Sequence, residues 1–149
     1  MSLSNISSLF YFIPELILCI GVLSLLVISV YKDTHNISFY LTITSLLLSL
    51  LGVFYYINFH DVMILFEESI ILDPLSNLIK VVILISVIAT VLLCFHNKEV
   101  KKEDWGEYYA LIIIATIGML LMISSLNLLM IYLAIEMLSI PSYMLAGFN

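Results

Sequence analysis

Apolar residues run along this chain in five long blocks, over residues 9–31, 39–59, 75–95, 108–125 and 128–148, with short polar segments between them. Each block approaches or exceeds the ~20 residues that an α-helix needs to cross a bilayer core. The pattern therefore predicts an all-α integral membrane protein with about five transmembrane helices. No polar stretch is long enough for a soluble domain, so residues 1–149 read as a single membrane domain. Three leading helices occupy 9–95 and a helical hairpin occupies 108–148. Within that hairpin the one polar break is Ser124-Ser125-Leu126-Asn127, which forces a tight antiparallel turn. The acidic connection between the second and third blocks predicts a short surface helix around 63–70.

Charge sets the orientation. Lys32 follows the first block, and Lys98, Lys101 and Lys102 follow the third. Asp61, Glu67, Glu68 and Asp73 lie between the second and third, with no lysine. Lysine-bearing loops stay on the cytoplasmic or matrix side. The N-terminus is thus expected outside and the C-terminus inside, with Trp105, Tyr108 and Tyr109 in an interfacial aromatic belt.

Composition narrows the function. Hydrophobic residues make up 63% of the chain and charged residues 11%, against about 25% charged in an ordinary soluble domain. The mean hydropathy is +1.19. A soluble enzyme is excluded. With a net charge of −6, a nucleic-acid binder is excluded as well. All five basic residues are lysine, and Leu, Ile, Phe and Tyr are favoured, as in an AT-rich coding genome such as that of many mitochondria. The first ten residues carry no basic residue and no small-residue cleavage site, unlike a signal or transit peptide. The expected location is the mitochondrial inner membrane, with the bacterial plasma membrane as the alternative. Cys19 and Cys94 lie in or beside apolar blocks, which argues against a disulfide framework. His35, His60 and His96 are scattered over both ends of the helices, and no Cys cluster or phosphate loop occurs. No cofactor or metal is expected in this chain.

Three ionisable residues fall inside the apolar blocks: Glu15, Lys80 and Glu136. Each is costly in hydrocarbon unless paired, hydrated or neutralised. Glu136 lies roughly 12 Å into the last helix, near the midplane of a ~30 Å core. Tyr132, Glu136, Ser139 and Tyr143 are spaced 4, 3, 4, which gathers them into one polar stripe with the carboxyl at its centre. Pro141 removes the hydrogen bond to the Met137 carbonyl and favours a kink with room for water. A carboxyl in such a place suits proton exchange. The alternative is a permanently protonated packing residue. Glu15 and Lys80 sit at similar depth on parallel helices, so they are candidates for an ion pair. The alternative there is a snorkelling Lys80 and a Glu15 stabilised by the helix N-terminus after Pro14. Ser38, Thr42, Ser45, Ser49 and Gly52 form a small-residue seam on the second helix and read as a packing surface.

These residues carry a family likeness. The runs Glu107-Tyr108-Tyr109-Ala110-Leu111 and Ile117-Gly118-Met119-Leu120-Leu121-Met122-Ile123-Ser124, with Tyr132-Leu133-Ala134-Ile135-Glu136-Met137-Leu138-Ser139-Ile140-Pro141-Ser142-Tyr143, resemble the fourth and fifth helices of the subunit 2 family of respiratory complex I. These are antiporter-like, proton-pumping subunits of NADH:ubiquinone oxidoreductase. Asp73-Pro74-Leu75-Ser76-Asn77-Leu78-Ile79-Lys80 resembles the family's third helix and Pro14-Glu15-Leu16 its first. The resemblance implies that Glu136 pairs with a lysine on a later helix and tunes its proton affinity, while electron transfer happens elsewhere in the complex. Asn127 stands where the family often has an aspartate. The family's further helices, with the pumping lysines, would lie downstream. The expectation is the N-terminal part of a split subunit 2, completed by a second chain, with other membrane-arm subunits and lipid as partners and no nucleic acid. The alternatives are a subunit of a related cation/proton antiporter and an accessory membrane scaffold with an inert Glu136.

Overall fold

The computed structural model describes residues 5–30, 35–57, 63–66, 69–95 and 104–148. Its elements are α1 (Asn5–Tyr11), α2 (Ile13–Ser29), α3 (His35–Ile57), β1 (Met63–Leu65), β2 (Ile70–Leu72), α4 (Pro74–Cys94), α5 (Trp105–Ser124) and α6 (Leu128–Ala146). Helices α3, α4, α5 and α6 are long and apolar enough to cross a membrane, and α2 is a shorter apolar helix. The all-α membrane architecture follows the sequence pattern. The helical boundaries do so with one difference. The first block is broken at Phe12 into α1 and α2, because Pro14 in the first turn of α2 supplies no N–H and pre-sets the backbone for a new helix start.

Neighbouring helices run antiparallel. Gly21 of α2 meets Ser45 of α3, and Gly52 of α3 meets Pro14 of α2. Gly106 of α5 meets Ser29, and the Tyr108 ring meets Phe148 edge-on at 5.3 Å. The ends of α2 and α4 therefore lie beside the starts of α3 and α5. There His35, Phe39, Phe95, Trp105 and Tyr109 join through ring contacts of 4.3–6.3 Å. The lysine-bearing connections leave from this aromatic end. Lys32, Lys98, Lys101 and Lys102, like Asp61, Glu67, Glu68, His60 and His96, lie outside the described residues.

Helix α5 is the centre of the bundle. It packs against α2, α3, α4 and α6, and half of its span is buried. Gly118 allows the closest of these approaches. A Cβ there would stand 2.9 Å from the Leu138 nitrogen and 3.1 Å from the Ala134 oxygen, so the α5 and α6 backbones touch. Close approach through small residues is how helices bind one another where lipid removes the hydrophobic driving force.

The connection before α4 departs from expectation. Instead of a surface helix around 63–70, it forms an antiparallel β-hairpin with Met63 opposite Leu72 and Leu65 opposite Ile70. Phe66 takes a left-handed conformation, φ 51°, at the turn. Leu65, Ile70 and Leu72 are buried against Tyr11, Phe12, Phe66, Leu121 and Met130. The Leu126 N–H donates to the Ser69 carbonyl at 3.0 Å, and Ile70 pairs with Ser125. The extended form wins because it satisfies the otherwise open backbone of the α5–α6 turn, which a helix could not do.

Candidate functional site

Two acidic side chains inside apolar helices are the candidate centres, and the fold treats them differently. Glu15 is in the first turn of α2, held there by Pro14. Lys80 is two turns into α4, whose start is fixed by a capping box: Asp73 Oδ1 accepts from the Ser76 N–H at 3.1 Å, and Ser76 Oγ accepts from the Asp73 N–H at 3.2 Å. Lys80 Nζ donates to Glu15 Oε1 at 2.6 Å, and both side chains are 2% exposed. Such a pair answers the cost of burying each charge with the other. Asn77, one turn before Lys80 on the same buried face, is also inside. The hairpin and the ring contact between Phe12 and Phe66, 5.6 Å apart, lie over this end of the bundle.

Glu136 is the other case. It lies mid-way along α6, on its exposed side. The Tyr132 hydroxyl donates to Glu136 Oε1, and Ser139 Oγ donates to the Glu136 carbonyl at 3.3 Å. Tyr132 is 59% and Tyr143 76% exposed. The stripe Tyr132, Glu136, Ser139 and Tyr143 thus turns away from α5, the helix that α6 packs on. Pro141 lies on the opposite, buried face. The helix runs through it to Ala146, and the Met137 carbonyl carbon lies against Gly118. The backbone at Met137, whose carbonyl Pro141 leaves without a helical donor, is thus packed against α5.

Only 11% of the α6 span is buried, against 50% for α5. An open groove of about 710 Å³ runs along its first half, lined by Leu128, Ile131, Tyr132 and Ile135 among others. What the arrangement can do chemically follows. Glu15 and Lys80 form a closed pair, while Glu136 offers a carboxyl, already bonded to a phenol, to whatever covers α6.

The seam on α3 is a packing surface, as its spacing suggests: Gly21 of α2 meets Ser45, and Ser38, Thr42, Ser45 and Ser49 are all buried. Among the described residues, Ser38 Oγ and Ser49 Oγ have no hydrogen-bond partner, and neither has the buried Tyr109 hydroxyl on α5. The sequence does not single these hydroxyls out, because a missing partner is set by the tertiary structure.

No family model matches the chain. It is 32% identical over 151 residues to NADH-quinone oxidoreductase subunit N of Bartonella bacilliformis, covering 100% of this chain and 30% of that protein. It is 33% identical over 157 residues to subunit N 2 of Sorangium cellulosum, covering 99% and 31%. It is 30% identical over 141 residues to subunit N of Ruthia magnifica, covering 93% and 29%. The chain spans about 30% of the length of the curated relatives it matches.

Proposed function

We propose that this chain is a membrane-embedded part of an antiporter-like subunit of NADH-quinone oxidoreductase, corresponding to subunit 2 or N, and that it contributes Glu136 to proton translocation. The observation that carries the reading is similarity to subunit N along nearly the whole chain, in a bundle where, among the described residues, the mid-helix carboxyl of Glu136 has no basic partner and lies on the exposed side of α6. The helices that cover α6 correspond to the part of the relatives that this chain does not span. They bring a basic side chain to Glu136, which then takes up and releases a proton within hydrogen-bond reach of that partner. Tyr132 orients the carboxyl, and Ser139 and Tyr143 extend the polar stripe. Supplied by a second chain, those helices would co-purify as a separate polypeptide along with other membrane-arm subunits. The relatives are bacterial proteins, so an energy-conserving plasma membrane is as fitting a location as the mitochondrial inner membrane.

The test is Glu136→Gln in the assembled complex. Proton translocation per NADH oxidised falls while assembly and electron transfer to quinone by added reductant remain. Unchanged translocation would leave Glu136 as a packing residue and the chain as a scaffold.

A further inference from the structure

We propose that the interior of the leading helices holds a file of ordered water that gives the Glu15–Lys80 pair proton access from the aromatic, lysine-loop end of the bundle. The inference stands apart from the role of Glu136 and would survive its failure.

Among the described residues, five buried side-chain polar atoms lack a hydrogen-bond partner: His35 Nε2, Ser38 Oγ, Ser49 Oγ, Tyr109 OH and Ser124 Oγ. Three of the five, His35, Ser38 and Ser49, follow a single face of α3, whose Thr42 and Ser45 lie between them. Tyr109 of α5 lies at the aromatic end of that face, with its ring 6.3 Å from Phe39 and 5.3 Å from Trp105, and Trp105 is 4.6 Å from the His35 ring. Ser38, Ser49 and Tyr109 are each 0% exposed. An orphaned buried hydroxyl costs about 1–3 kcal/mol, so buried polar groups are almost always bonded, to ordered water where protein is lacking. Ser38 and Ser49 on one face of α3, with the Tyr109 hydroxyl at its aromatic end, are places for water.

The column leads to the ion pair. The contacts of Gly21 with Ser45 and of Pro14 with Gly52 fix the register of α2 against α3. In that register Ser49 lies about two residues, ~3 Å along the helix axis, from the level of Glu15. From His35 to Ser49 the file runs about 21 Å, most of a ~30 Å bilayer core. Its waist is at Gly21, where a Cβ would come within 3.0 Å of Ser45 Cβ and 3.1 Å of Ser45 Oγ. There the hydroxyls themselves bridge the gap. Thr42 Oγ1 donates to the Ser38 carbonyl at 2.7 Å and Ser45 Oγ to the Thr42 carbonyl at 2.9 Å, so each oxygen accepts a proton from one side and passes its own onward by turning its O–H away from that carbonyl.

The chemistry is a reversible protonation. A proton from water at the His35 end passes along waters and hydroxyls to Glu15, whose carboxylate becomes a carboxylic acid and releases Lys80 as a free ammonium. Return of the proton along the file restores the pair. The groups facing Glu15 are few. Lys80 comes from α4 and Tyr56 from α3, with Tyr11 and Tyr55 beside Tyr56, and Cys19 is on its own helix. Asp73 at the start of α4 is held by Ser76. Glu107 of α5 is in the first turn of that helix, at the opposite end of the bundle.

The experiment is water-edited solid-state NMR on the full chain, labelled with ¹⁵N-lysine, in lipid bilayers. Lys80→Arg identifies the Lys80 signal by its loss. Magnetisation from water should reach Lys80 Nζ at mixing times comparable to those of the loop lysines. Ser49→Val should slow that build-up severalfold and leave the chemical shift of the paired ammonium in place. Should Ser49→Val fail to insert, Ser38→Val, three turns away, supplies the same reading. Transfer to Lys80 only at the long mixing times of diffusion through protein would overturn the proposal. So would an unchanged build-up in the valine variants, because water would then reach the pair from the hairpin end.

Discussion

Glu15 and Glu136 are the same side chain in the same kind of helix, yet the fold answers them in opposite ways. Glu15 is buried and bonded to Lys80. Glu136 is on a helix that, among the described residues, packs chiefly on α5, and it is bonded to a tyrosine of its own helix and otherwise exposed. The difference teaches that intramembrane charge is not one signal. A charge whose partner is in the same bundle ties two helices of that bundle to each other, whereas a charge left open on an outer face is what the proposed function offers to a group outside it.

The comparison can be broken by exchanging consequences. The largest effect belongs to Glu136→Gln, which should reduce proton translocation by about tenfold or more, the scale of a lost proton-transfer group, with thermal stability of the chain unchanged. The converse holds for the closed pair. Lys80→Met leaves a buried carboxylate alone and should lower stability against denaturant by about 3–5 kcal/mol. The double variant Lys80→Met with Glu15→Leu should recover most of that loss, since an apolar pair often replaces a buried ion pair without penalty. A double variant as unstable as the single one would mean that the pair does not act as a unit. Smaller again is Gly118→Ala, whose methyl meets the α6 backbone at 2.9 Å. Overpacking of this kind costs about 1–3 kcal/mol, and cross-linking yields between α5 and α6 should fall with it. The smallest effect is expected of Tyr132→Phe. It removes one hydrogen bond on an exposed face and should change translocation by about twofold or less.

Much of this contrast was legible in the residues, and part of it was not. Span positions come from the lengths of apolar blocks, which a linear sequence displays directly. The shared depth of Glu15 and Lys80 followed from two parallel spans, so their meeting was within reach of counting. The direction in which Glu136 points was not. A 4, 3, 4 spacing says that Tyr132, Glu136, Ser139 and Tyr143 share a face, but which face meets α5 is decided by Gly118 and Ala134, on another helix and another stripe. Pro141 misled for the same reason: its missing donor was legible, its burial against α5 was not. The hairpin was hidden because strands of three residues carry little pattern, and the bonds that stabilise them come from Ser69 and Leu126, far apart in the chain. The orphaned hydroxyls needed the whole bundle, since a missing partner is a property of surroundings.

The stitch between Ile70 and Ser125 has a mechanical consequence. Strand β2 passes through Asp73 straight into α4, and Lys80 follows two turns later. The corner joining α5 to α6 is therefore yoked by main-chain bonds to the root of the helix that bears the buried ammonium. The helix that carries Glu136 and the helix that carries Lys80 are thus tied at their roots by main chain, not by side chains alone.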